Sequence, residues 1–145
     1  MISILFLVMI GLAFDSQAVC VKVSKANIRV GPGIRYEIAW QVVRYMPFYK
    51  VGVSTDGAWY AIKDVDGDVN WIYKNLVTTR YHCAVVKSEW VNVRKGPGTN
   101  YRKSSMSPAL QYDAFKVIKR QGKWLKIKDT FGAIGWIHMS YLWIQ

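Results

Sequence analysis

The residues best suited to covalent or metal chemistry are Cys20, Cys83, His82 and His138. A thiol nucleophile needs a base oriented beside it. His82 adjoins Cys83, but neighbours along a strand point to opposite faces, and no convincing helix is predicted to carry the thiol. A zinc site needs closely spaced ligand pairs, and that spacing is missing. No catalytic residue, metal ligand or cofactor is assigned. An even cysteine count in an exported chain fits a disulfide, so Cys20 is expected to bond Cys83, the alternative being two buried thiols. Each is expected just before the first strand of its half.

Two further stretches mimic ligand loops. Asp64-Val65-Asp66-Gly67-Asp68 begins like a calcium loop, yet Asn75 stands where the twelfth-position Glu belongs and no helices flank it. A solvated hairpin turn is predicted instead. Gly31-Pro32-Gly33 and Gly96-Pro97-Gly98 precede no helix N-terminus that would hold a phosphate.

Binding chemistry has better candidates. Rings stack on sugars and prolines alike, and Trp40, Tyr45 and Tyr60 in the first half, with Trp90, Tyr112 and Trp143 in the second, are read as aromatics unique to one half. Tyr36 and Tyr101 follow the two Gly-Pro-Gly triplets and could line a cleft or pack. Arg29 and Arg94 precede those triplets. They either rim a cleft or hydrogen-bond the adjacent turn, and the turn role is the plainer one.

These candidates sit in a duplicated frame. Asn92-Val93-Arg94-Lys95-Gly96-Pro97-Gly98-Thr99-Asn100-Tyr101 echoes Asn27-Ile28-Arg29-Val30-Gly31-Pro32-Gly33-Ile34-Arg35-Tyr36, 65 positions earlier (92 − 27). Trp59 and Trp124 keep that offset, as do Trp71 and Trp136. A fixed offset at several anchors is the signature of an internal repeat. Strand-like alternation runs into each Gly-Pro-Gly, whose glycines are expected at the positive φ of tight turns. The tryptophans recurring in register are expected to pack in the cores of small barrels.

Five short strands are predicted per copy, with hairpin turns at Asp56-Gly57, Asp66-Gly67, Gln121-Gly122 and near Gly132. The link from Thr78 to His82 lacks Gly, Pro and Ser, so it is no flexible tether. Modules this small bury little core alone, so the copies are expected to pack together. The domains are read as 19–80 and 81–145.

The chain of 145 residues carries a formal net charge of +11 and is 14% aromatic. The basic excess is uneven: nine basic and five acidic residues in 19–80 (+4), eleven and three in 81–145 (+8). Such a protein attracts polyanions. The apolar run Ile2–Phe14 followed by Asp15-Ser16-Gln17-Ala18 reads as a signal peptide over residues 1–18. Export to the periplasm or the medium is expected, with membrane attachment only through an uncleaved signal. Nucleic acid is not expected as a partner.

The motif Asn-aliphatic-Arg-x-Gly-Pro-Gly-x-x-Tyr, then Gly-x-Trp, then Trp-aliphatic before a terminal Leu, resembles the bacterial SH3-like domain, in both copies. Asn70 departs from the pattern, standing where Gly usually precedes the second Trp. The resemblance implies an all-β chain of two tandem SH3-like barrels, acting without catalysis as a binding module. Its expected partner is peptidoglycan or an envelope protein or peptide, the alternative being a protein adaptor or self-associating envelope component. Tyr36, Trp40, Tyr45, Trp90, Tyr101, Tyr112, Arg29 and Arg94 are the ligand-binding candidates.

Overall fold

The computed structural model describes residues 17–145. The predicted signal peptide lies outside them apart from Gln17 and Ala18, which begin the first strand. The described residues are nearly all strand and turn. The first repeat contains β1 (Gln17–Val21), β2 (Lys25–Arg29), β3 (Ile38–Val43), β4 (Pro47–Val53), β5 (Trp59–Lys63), β6 (Val69–Tyr73) and β7 (Val77–Thr78). The second contains β8 (Cys83–Val86), β9 (Trp90–Val91), β10 (Ala109–Leu110), β11 (Ala114–Gln121), β12 (Trp124–Lys128), β13 (Ile134–His138) and β14 (Leu142–Ile144). A single 3-10 turn precedes β7 and β14. Seven strands per repeat exceed the five expected, because two-residue ladders such as β7, β9 and β10 leave no periodicity to read.

All pairings are antiparallel. The first sheet runs β3-β2-β6-β5-β4-β1-β7 and the second β13-β12-β11-β8-β14, with β9 and β10 paired separately. The repeats match in detail: Arg29 pairs with Trp71 to join β2 to β6, and Arg94 bridges Trp136 at the corresponding point.

Alternation decides what is buried. In β2, Ala26 and Ile28 face the core while Asn27 and Arg29 face out. β8 is different, since Cys83, Ala84, Val85 and Val86 are all buried. Ala84 and Val86 enter the second core with Phe115, Ile127 and Ile137. Val85 joins the first core with Phe48, Ile62 and Ile72. One strand thus walls both cores, and burying Val85 there contributes about 1.5 kcal/mol. The cysteines lie inside β1 and β8 rather than before them, and a disulfide joins Cys20 to Cys83 across a Cα separation of 6.0 Å. Tyr112 Oη donates to Asp66 Oδ2 at 3.0 Å, a further bond between the repeats.

The turns divide into two kinds. Gly57, Gly67, Gly122 and Gly132 have φ of 59–90°, in the hairpin turns where the sequence predicts them. The Gly-Pro-Gly glycines do not, contrary to expectation. For Gly31 and Gly96 the reason is contact: a Cβ on Gly31 would collide with the Tyr36 ring, and one on Gly96 with the Tyr101 ring.

Candidate functional site

Each repeat carries a cleft, and the two are built from the same positions. The first, of about 830 Å³, is lined by Asn27, Arg29, Ile34, Tyr36, Trp59, Tyr73 and Leu76, among others. The second, of about 330 Å³, is lined by Trp90, Asn92, Arg94, Thr99, Trp124, His138 and Tyr141, among others. At the 65-residue offset, Asn27 matches Asn92, Arg29 matches Arg94 and Trp59 matches Trp124.

The elements explain the convergence. Asn and Arg stand on the outward side of their strand segment, one residue apart from the core aliphatic between them. The Trp of β5 or β12 lies directly across from the aromatic that ends the next strand: Trp59 opposite Tyr73 and Trp124 opposite His138. The ring centroids are 5.7 Å apart in the first pair and 5.3 Å in the second. A Gly-Pro-Gly turn borders each cleft, held by the arginine: Arg29 Nη1 donates to the carbonyls of Ile34 (3.2 Å) and Tyr36 (2.8 Å), and Arg94 Nη1 to that of Tyr101 (3.1 Å). The turn-bonding role of these arginines is thus present in both repeats, at the rim of the clefts.

The variable positions give the clefts different chemistry. Lys25, Arg35 and Asp56 reach the first. The Asp56 carboxyl is held below its ordinary value by the Ser54 hydroxyl and then by the Ala58 N–H. The second cleft gains Trp90, where the first has Lys25, and Tyr141, where the first has Leu76. In it, Ser140 N–H donates to His138 Nδ1 at 3.2 Å, so the neutral ring carries its proton on Nε2. The cleft thereby combines stacking surface with one cation and a ring N–H donor.

The remaining candidates lie elsewhere. Trp40 packs edge-on against Phe48 and Tyr112 at the junction of the repeats. It shares with Tyr112 a separate groove lined by Asp64, Asp66 and Asp68. Tyr45 is half-buried on the first core and meets Tyr81 edge-on. Tyr45 and Tyr112 are not unique to one copy, as the sequence suggested. Both have positive φ (73° and 71°), and both donate a backbone N–H to the strand behind, to Val21 O and Val86 O. They are equivalents at an offset of 67. Tyr60 lies under Lys50 Nζ at 4.3 Å, and Trp143 packs on the first core. Trp71 and Trp136 sit on the sheet. Trp59 and Trp124, read from sequence as packing residues, also line the clefts. Asn27, Asn92, Tyr73 and Tyr141 were not singled out at all, although the asparagines open both copies of the motif, and His138 was weighed only for covalent or metal chemistry. Among the described residues no three His, Cys, Asp or Glu side chains gather as metal ligands.

The bacterial SH3 domain family matches residues 22–78 and, separately, residues 90–142. The chain is a tandem of bacterial SH3 domains. It is also similar, at 29% identity over 143 residues, to a Bacillus subtilis (strain 168) protein named "Putative N-acetylmuramoyl-L-alanine amidase YrvJ". That match covers 90% of this chain and 26% of YrvJ, so the chain spans about a quarter of its relative's length. Among solved structures, an NlpC/P60 family protein from Bacillus cereus ATCC 10987 aligns with 9% identity over 89% of this chain and 56% of its own, at a TM-score of 0.39. The structure described as endolysin LysPBC5 CBD aligns with 16% identity over 90% and 94%, at 0.37. The tandem SH3 chain owes its assignment to the family matches, not to these distant alignments.

Proposed function

We propose that the tandem SH3 protein is a non-catalytic binding module of the cell envelope, exported to the periplasm or the medium, and that each domain engages peptidoglycan peptide or sugar through its own cleft. The observation that carries this reading is the duplicated cleft. An asparagine, an arginine and a tryptophan recur at its wall, and the asparagine and arginine are partly exposed in both domains, so core packing does not account for those two. The similarity to YrvJ, whose name is that of an N-acetylmuramoyl-L-alanine amidase, supports a muramoyl-peptide ligand. A buried disulfide supports an oxidising compartment. The basic surface steers acidic ligands, while the aromatic walls supply contact area.

The test is co-sedimentation of the purified protein with isolated peptidoglycan at low and moderate salt. Salt-resistant binding, weakened about tenfold by Trp90→Ala with Tyr141→Ala, is the expected result. Both residues are exposed, so their loss leaves the fold intact. Binding abolished by salt reduces the claim to charge attraction, and no binding at either salt overturns it.

The adaptor reading has one observation of its own. β3 forms an edge of the first sheet and exposes Ile38 and Val43, which suits strand addition by a protein partner or a second copy. Concentration-dependent sedimentation without wall binding would favour it.

A further inference from the structure

The β11–β12 hairpin of the second domain opposes lysine to lysine twice. Lys116 lies across from Lys128, and Lys119 across from Lys126. Directly opposed side chains share a face with Cβ atoms about 5 Å apart, and like charges so placed are destabilising. The intervening pair, Val117 with Ile127, turns the other way into the core. Four lysine side chains therefore leave the hairpin on its outer face, with Lys116 Nζ over the Tyr81 ring at 4.7 Å. Lys119 is exposed and the other three partly so.

The fold does not require this. The β4–β5 hairpin of the first domain has the same register, and its bulge falls at the same point, between Lys50 and Gly52 as between Val117 and Lys119. There the corresponding pairs are Tyr49 with Lys63 and Gly52 with Ala61. One scaffold thus carries one lysine in the first domain and four in the second.

Nearby carboxylates are committed elsewhere. Asp113 accepts from the Leu110 N–H at 2.8 Å, and Asp129 from the N–H groups of Phe131 and Ala133. On β13 the lysines are flanked by Trp136 and Ile134, with Lys119 Nζ 5.8 Å from the Trp136 ring. Repulsion among four lysines, at positions where the duplicate domain keeps only Lys63, calls for an external anion.

We propose that this face binds a linear phosphodiester polymer of the cell envelope, independently of the two clefts. All four cations are lysine. Arginine's planar fork imposes bidentate geometry on carboxylate and phosphate alike, whereas lysine is a point charge that donates to phosphate oxygens from many directions, as a flexible polymer chain requires. Two parallel files of cations, spaced by about 6–7 Å where positions alternate along a strand, fit a charge-repeating chain better than a single anion. The Cys20–Cys83 disulfide belongs to an oxidising compartment, which selects an envelope polymer over nucleic acid.

The experiment uses the disulfide-bonded protein and immobilised poly(glycerol phosphate), with binding measured between about 50 and 200 mM salt. The expected affinity falls with salt at a logarithmic slope of about −0.7 per phosphate contacted. Lys119→Gln with Lys126→Gln should weaken binding about tenfold, reduce that slope by about 1.4 and raise the thermal midpoint as repulsion is relieved. The control, Lys22→Gln with Lys63→Gln in the first domain, removes the same charge and should change affinity less than about threefold. Trp90→Ala should leave polymer binding unchanged, which separates this face from the cleft reading. Equal loss in the control pair overturns the proposal, as does absence of binding. Tighter binding to phosphatidylglycerol vesicles assigns the face to membrane, and tighter binding to single-stranded DNA of equal charge assigns it to nucleic acid. Either result also overturns the proposal.

Discussion

The ring of Tyr36 occupies the space that a Cβ on Gly31 would fill, and Tyr101 stands in the same relation to Gly96. The conflict reaches Cγ of the ring, so the tyrosine cannot yield by bending its tip and must leave its position. Gly96→Ala is accordingly expected to cost about 1–3 kcal/mol, the usual range for overpacking. If the ring is the cause, Tyr101→Ala should make Gly96→Ala nearly harmless. A double-mutant cycle in urea measures this coupling, and additive losses would refute the contact as the reason for the glycine.

Arg29 serves the same turn from the strand side. Its Nη1 donates to two carbonyls, Ile34 O and Tyr36 O, whereas Arg94 Nη1 meets only Tyr101 O. A lysine ammonium lacks the rigid geometry of the guanidinium. Arg29→Lys should therefore lower stability by about 0.5–1 kcal/mol, small because the site is exposed, and by more than Arg94→Lys. Equal urea midpoints for the two variants would remove the distinction between the turns.

The duplication, the all-β class and the hairpin turns were legible because they rest on local signals: a motif spaced by 65 residues, alternating strands, and Asp-Gly or Gln-Gly at turn tips. The role of Gly31 and Gly96 was not, since a sequence shows a missing Cβ without showing whether φ or a neighbour requires it. Tyr45 and Tyr112 escaped pairing because two residues gained between Tyr101 and Tyr112 are lost again before Gly122. The clefts were half legible. Arg29, Tyr36, Arg94 and Trp90 were singled out, but Trp59 and Trp124 were credited to the core alone. A Trp at the foot of a cleft has the same sequence pattern as one in a core, and the difference lies in which cross-strand neighbour, Tyr73 or His138, stands beside it.

The Cys20–Cys83 bond closes a loop between residues 63 positions apart. Loop-closure entropy puts its contribution at about 4 kcal/mol. It ties β1 to β8, the strand that walls both cores, so its loss should weaken the domains together. Replacing both cysteines with alanine is expected to lower the urea midpoint in a single transition. Two separated transitions would show that the shared wall does not couple the domains.

Asp64 closes its turn by accepting from the N–H groups of Asp66 and Asp68, each at 3.0 Å, and its equivalent Asp129 does the same one repeat later. Burial raises the Asp64 carboxyl above its ordinary 3.8, opposed in part by those two hydrogen bonds and aided by the charges of Asp68 and Asp66. A carboxyl whose folded value is raised favours folding most when protonated. The associated stability is fully present below 3.8 and is lost as pH rises through the folded value. Asparagine keeps an oxygen to accept both bonds but cannot ionise. Asp64→Asn should therefore match the wild type most closely at acid pH and gain on it as pH rises past 3.8, levelling off above the folded value. Paired urea titrations across this range measure the difference. A gap that stays constant with pH, or that opens toward acid, would mean that the two hydrogen bonds outweigh burial.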